Sequence, residues 1–177
     1  MSHRKLASLS IASALAIAGG LVSSLHLPGV AQSGLTIFSG VESGYELGYT
    51  MDFFGRPGAR DRYRLNIPRD KMEVAASELF ISYPDTYQGR FDADSIRLEV
   101  NGNAVDLDEV VWDQDNRVIS IFPSEPIPAN TRVQIVLSNV RNPNRVGTHY
   151  FNASIISPGD IPLRRYVGTW ILAIRRN

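Results

Sequence analysis

Little in this sequence could act as a nucleophile. Cysteine is absent, which removes thiolate catalysis, disulfides and Cys-based zinc sites in one step. The histidines are His3, His26 and His149. The first two fall within an N-terminal leader, so a serine triad would have to use His149, in a predicted strand beside Tyr150, as its base. The small-residue turn that exposes a nucleophilic serine is missing too, since Gly40-Val41-Glu42-Ser43-Gly44 has the wrong spacing. His149 reads as a strand-end surface histidine, and no catalytic residue is predicted.

Carboxylates are more plentiful. Two of them facing each other across about 5–10 Å suffice for glycoside cleavage, and Asp106, Asp108 and Glu109 gather near a hairpin end. The chain has 18 acidic residues, which supply so many pairs that the pattern has no specificity, and solvated turn acids explain it equally well. Calcium prefers hard oxygens at alternate loop positions, a spacing met by Asp92 and Asp94 and again by Asp113 and Asp115. Neither pair has a bidentate acid at the far end of a loop, and Asp in such places usually closes a turn through its own side chain. The expected state is no cofactor, with calcium the alternative.

The densest charge cluster is Arg56, Arg60, Asp61, Arg62 and Arg64. Arginine forks grip carboxylates and phosphates in bidentate fashion, so the four arginines are candidates for an anionic ligand or partner. The competing reading is an ion-pair network centred on Asp61 that holds the loop against the fold. Arg62 and Arg64 would share one strand face. Tyr83, Tyr87 and Phe91 surround a Pro84-Asp85 turn and are candidates for aromatic contact with a sugar or a protein; core or rim packing is the simpler account of the same residues.

Whatever positions these groups is built of strands. Short β-branched and aromatic runs bounded by Gly, Pro, Asn or Asp recur about every ten residues. They are Leu35–Val41, Arg62–Ile67, Leu79–Tyr83, Ser95–Val100, Val105–Leu107, Val110–Trp112, Arg117–Phe122, Arg132–Ser138, His149–Ile156 and Tyr166–Ile174. Ile96-Arg97-Leu98-Glu99-Val100 alternates apolar and charged residues, as a half-buried antiparallel strand requires. Asn101-Gly102 suits a tight hairpin, and Gln114-Asp115-Asn116 separates two further strands. Pro123, Pro126 and Pro128 stiffen a crossover. One short helix is an alternative near Asp70–Ser77, with Asp70 as its cap. The pattern predicts an all-β, immunoglobulin-like antiparallel sandwich with Greek-key connections, spanning residues 33–175 as a single domain.

The N-terminus differs from the rest. His3, Arg4 and Lys5 precede an uncharged run, Leu6–Val22, and Gly29-Val30-Ala31 offers small residues for cleavage. This is the secretory signal pattern, with residues 1–31 removed. The run is at the lower limit for spanning a bilayer, so no stable membrane insertion is expected after cleavage. The full chain carries 18 basic and 18 acidic residues. Loss of Arg4 and Lys5 leaves the mature part about two charges negative, which argues against a nucleic-acid partner held by bulk charge.

Six motifs in one order carry a family resemblance: Gly58-Ala59-Arg60-Asp61-Arg62-Tyr63, Ser82-Tyr83-Pro84-Asp85, Phe91-Asp92-Ala93-Asp94-Ser95-Ile96, Leu137-Ser138-Asn139-Val140-Arg141-Asn142-Pro143, Ser157-Pro158-Gly159-Asp160 and Gly168-Thr169-Trp170. From about Phe38 to Ile174 the chain resembles the secreted cyanobacterial domain-of-unknown-function family 2808. The resemblance implies export and a β-rich domain, and brings no activity and no functional residues.

The expectation is therefore a non-enzymatic binding module, exported to the periplasm, thylakoid lumen or extracellular space. Its partner would be an envelope, lumenal or secreted protein or a glycan. Calcium or glycan binding is one alternative, and a carboxylate-dependent glycan hydrolase another.

Overall fold

A strand with one buried face needs apolar side chains at every second position, and most of the strands here keep that rule. The computed structural model describes residues 40–159 and 162–176. The leader and most of the first expected strand, Leu35–Val41, lie outside them, and Gly40 and Val41 are not in a strand.

The elements are β1 (Glu46–Leu47), β2 (Tyr49–Met51), β3 (Arg60–Ile67), β4 (Glu78–Ser82), β5 (Ile96–Val100), β6 (Asn103–Val105), β7 (Leu107–Asp113), β8 (Val118–Pro123), β9 (Val133–Arg141), β10 (Gly147–Ile156) and β11 (Arg164–Ile174). One sheet has the order β1-β11-β10-β4-β8-β7, the other β2-β3-β9-β5-β6. All pairings are antiparallel except β1 with β11. Neighbours such as β3-β9-β5 and β10-β4-β8 are distant in sequence, so the layout is of Greek-key type and not a meander. The expected all-β sandwich is present.

Its core lies between the sheets. Tyr63, Leu65, Ile67, Leu98, Ile135 and Leu137 come from one side, and Leu79, Ile81, Ile119, Phe151, Trp170 and Leu172 from the other. Trp170 ties the two layers, donating its indole N–H to the Asn66 carbonyl at 3.0 Å. Asn101 and Gly102 both take positive φ in the β5–β6 hairpin, as the Asn-Gly turn requires. The proline segment carries the chain from β8 in one sheet to β9 in the other.

The short helix near Asp70–Ser77 does not form. Arg69–Lys71 makes a single 3₁₀ turn after Pro68, and Ala76 is already bridged to Ile127 in extended pairing. Met72 and Ala76 are buried in the sandwich, and the Ala76 and Ser77 amides donate to the Ile127 and Ile156 carbonyls at 2.9 and 2.8 Å, which takes them away from helical bonding. Tertiary packing overrides a weak local preference.

Candidate anion-binding site

Strand β3 reads Arg-Asp-Arg-Tyr-Arg-Leu-Asn-Ile, and its alternation sorts the charges. Asp61, Tyr63, Leu65 and Ile67 point inward, while Arg60 and Arg62 are exposed and Arg64 half-exposed. Asp61 is thus only 2 % exposed, in line with core residues. It does not form the expected ion pairs with the arginines beside it. Its carboxylate instead accepts backbone N–H bonds from Phe53 (2.9 Å), Gly55 (2.8 Å) and Arg62 (2.7 Å), and one from Asn142 Nδ2 at 3.3 Å. The Arg62 amide is available because a bulge interrupts the β3–β9 register between Asp61 and Tyr63, with Asn139 on β9 at φ 56°.

Asn142 extends this network. Its side chain accepts from the Tyr63 hydroxyl and donates to the Arg56 carbonyl at 2.9 Å. Tyr63 also meets the Tyr87 hydroxyl at 3.1 Å. Burial raises the pKa of both phenols, so they stay protonated donors. The backbone closes the same joint, with Gly58 N–H on the Pro143 carbonyl and Asn142 N–H on the Ala59 carbonyl. Two of the six sequence motifs, Gly58–Tyr63 and Leu137–Pro143, therefore meet at one end of the sandwich, where β3 begins and β9 ends.

On the surface over that joint, three arginines stand opposite one another. Arg60 on β3 pairs with Arg141 on β9, and Arg141 bridges to Arg90 on its other side through two backbone bonds of 2.9 and 2.8 Å. All three are exposed. Like charges directly opposite on neighbouring strands repel, and none of the three has an ion-pair partner within 4.0 Å among the described residues. With Phe91, Asp92 and Asn139 they line a shallow depression of about 280 Å³. Asp92 is its one acid. Hydrogen bonds from Ser95 and Asn139 hold that carboxyl below the usual aspartate range, so it remains charged and leaves the depression with a surplus of two positive charges.

The four arginines singled out in sequence have different fates. Arg62 and Arg64 share a face as expected, but both are engaged by Asp52: Arg64 Nε lies 3.1 Å from Oδ1, and Arg62 Nη1 lies 3.4 Å from Oδ2. Arg60 joins the row, and Arg56 sits exposed on the loop before it. Arg90 and Arg141 were missed, because their approach depends on long-range strand pairing.

The aromatic reading is corrected. Tyr83, Tyr87 and Phe91 are all buried; apart from the small part of Phe91 that lines the arginine depression, they present no face to a partner. They form one cluster in which Tyr87 and Phe91 stack at 5.5 Å and Phe151 meets Tyr87 edge-on at 4.8 Å. Tyr83 accepts the Trp112 indole N–H at 2.7 Å. Pro84 begins a turn that folds Tyr87 back under the sheet, and the surface that these rings would lose to water favours the interior. His149 is corrected as well: it is buried against Tyr87, neither ring nitrogen has a hydrogen-bond partner, and desolvation lowers its pKa.

The calcium candidates are occupied with turns. Asp92 accepts from Ser95 Oγ at 2.7 Å and Asn139 Nδ2 at 3.1 Å, while Asp113 accepts from the Asn116 backbone and side chain at 2.9 and 2.7 Å. Asp94 and Asp115 are exposed and complete no cluster; among the described residues no group of three or more His, Asp or Glu has metal-binding geometry. Asp106, Asp108 and Glu109 are exposed along the edge of β7 and its approach.

The class defined here is an antiparallel β-sandwich of immunoglobulin-like layout with a basic site at one end. The chain belongs to the family described as "Protein of unknown function (DUF2808)", which it matches over residues 35–174. No curated protein matches it in sequence. Among solved structures it is similar to BslA, a bacterial hydrophobin, at 13% identity and TM-score 0.49 over 75% of this chain and 98% of that one. A collagen-binding domain from a Staphylococcus aureus adhesin is similar at 12% identity and TM-score 0.43, over 73% and 97% of the two chains. An uncharacterized protein from Nocardia farcinica with an immunoglobulin-like fold is similar at 10% identity and TM-score 0.39, over 75% and 99%.

Proposed function

We propose that this protein is an exported, non-enzymatic interaction module that recognises anionic groups on its partner through Arg60, Arg90 and Arg141. The leader pattern of residues 1–31 supports export, to the periplasm, thylakoid lumen or extracellular space. No helix among the described residues is long and apolar enough to cross a membrane. The observation that carries the reading is the cross-strand arginine row, free of ion pairs among the described residues and offset only by the single charge of Asp92. Such a row raises the free energy of the fold unless something outside it supplies the negative charge, and arginine forks match carboxylate, sulfate or phosphate oxygens.

Titration with dextran sulfate, against neutral dextran as control, tests this. Binding should be strongly salt-dependent and fall at least about tenfold in the Arg60→Gln/Arg90→Gln/Arg141→Gln variant, since charge-assisted bonds are worth about 1.5–3 kcal/mol each. Equal binding by parent and variant, or none by either, overturns the reading.

A further inference from the structure

We propose that the partner is an anionic lipid bilayer, met end-on by the loops around the arginine row; this rests on the anion-recognition reading and names its partner. The connection between β2 and β3 carries Phe53 and Phe54 at its tip, 56% and 61% exposed. Val146, 57% exposed, sits on the β9–β10 loop. Both loops abut the end of β11: Arg175 N–H donates to the Gly55 carbonyl at 3.1 Å, and Gly147 pairs with Ile174. Three large apolar side chains are therefore offered to solvent from one rim.

The backbone holds the tip there. Asp61 fixes the amides of Phe53 and Gly55 from below. Phe54 has φ 65°, a conformation disfavoured for a bulky residue and usually left to Gly or Asn. A turn shaped only by water would carry a small polar residue at such a position. Gly55 is required in turn, because a Cβ there would lie 2.8 Å from the Ala173 carbonyl oxygen. The two rings cannot fold back into the core without breaking these contacts.

Around the tip stand Arg56, Arg145 and Arg175, next to the row of Arg60, Arg90 and Arg141. All six are exposed, and none has an ion-pair partner among the described residues. Apolar tips ringed by cations complement an anionic membrane surface, where aromatic side chains sit at the headgroup boundary and arginines meet lipid phosphates. An acidic polysaccharide would account for the arginines but not for the phenylalanines. Three side chains also fall well short of the roughly 800 Å² per partner that a stable protein interface buries.

The leader is itself apolar, so the test uses a readout local to the tip. The full chain with Phe54→Trp is mixed with vesicles of phosphatidylglycerol and phosphatidylcholine, or of phosphatidylcholine alone, with and without brominated acyl chains. The emission that Phe54→Trp adds over the Trp112 and Trp170 signal of the parent chain should shift to the blue and be quenched by bromine on the anionic vesicles only. Arg56→Gln/Arg145→Gln/Arg175→Gln in the same background should weaken this response about a hundredfold. Emission unmoved by anionic vesicles overturns the lipid proposal. If dextran sulfate still binds through Arg60, Arg90 and Arg141 in that case, only the lipid assignment has failed. If dextran sulfate binding is absent as well, the anion-recognition reading has failed with it.

Discussion

Replacing Asp61 with alanine should be among the most damaging single changes in this protein, although no ion pair is broken. The carboxylate accepts four hydrogen bonds. Its removal leaves the Gly55 amide and one of the two Asn142 side-chain N–H groups without partners in buried positions, at about 1–3 kcal/mol each. The Phe53 and Arg62 amides are only partly buried and recover some hydration, so each adds about 0.5–1 kcal/mol. Relief from burying a charge offsets a fraction of this. The net expectation is a loss of about 3–5 kcal/mol, a large share of the 5–15 kcal/mol typical of a domain, and a fall in Tm of about 10 °C or more. Asp61→Asn separates size from charge. It keeps one acceptor but places an NH₂ against two of the four donors, so its loss should be about 2–3 kcal/mol. Urea unfolding followed by Trp112 and Trp170 fluorescence measures both. An Asp61→Ala variant within about 0.5 kcal/mol of the parent, the range of surface substitutions, refutes the claim that Asp61 holds the joint.

Four further outcomes are expected. His149 is buried without partners and its pKa is lowered, so it contributes stability that is fully present above its unfolded value of about 6.5 and lost as pH falls toward the folded one; unfolding curves between pH 7.5 and 5 should show a downward slope that His149→Leu flattens. Gly55→Ala and Gly168→Ala should each destabilise by about 1–3 kcal/mol, because the new Cβ would lie 2.8 Å from the Ala173 oxygen in the first and 2.7 Å from the Tyr45 oxygen in the second; thermal melts that match the parent would contradict those contacts. Neutralising Arg60, Arg90 and Arg141 should raise Tm at low salt while polyanion binding falls, since repulsion across two strand pairs is removed; a lowered Tm would mean that the row stabilises the fold. Melting in calcium and in chelator should coincide, with Asp92 and Asp113 already committed to their turns; a shift of several degrees would reinstate a calcium site.

Most of the fold was legible because the longer strands obey a period of two. Ile96–Val100 and Val133–Leu137 announce their buried faces in the sequence, and Asn101-Gly102 announces its hairpin. Glu46–Leu47 and Tyr49–Met51 were missed, being too short to show a period and separated only by Gly48. The burial of Asp61 was in fact readable: counting back by twos from Ile67 through Leu65 and Tyr63 lands on it. Local charge misled, because flanking arginines suggested ion pairs that alternation forbids. Tyr83, Tyr87 and Phe91 carry no such period, since the turn at Pro84 resets the direction of the chain. Only the tertiary path shows that these rings face inward.

The arginine row illustrates a different limit. Arg60, Arg90 and Arg141 are far apart in sequence, and nothing local says that strand pairing will line them up. Once paired, their position is hard to escape. Each lies on a strand or bridge whose register is pinned by the Asp61–Tyr63–Asn142 network beneath and by backbone bonds on both sides. A flexible basic loop could spread its charges and lose affinity to the entropy of gathering them again. A row held from below has that ordering built into the fold, so binding energy need not be spent on it. The buried polar joint and the exposed cations are thus two layers of one device, and loosening the lower layer should weaken binding even where every arginine is retained.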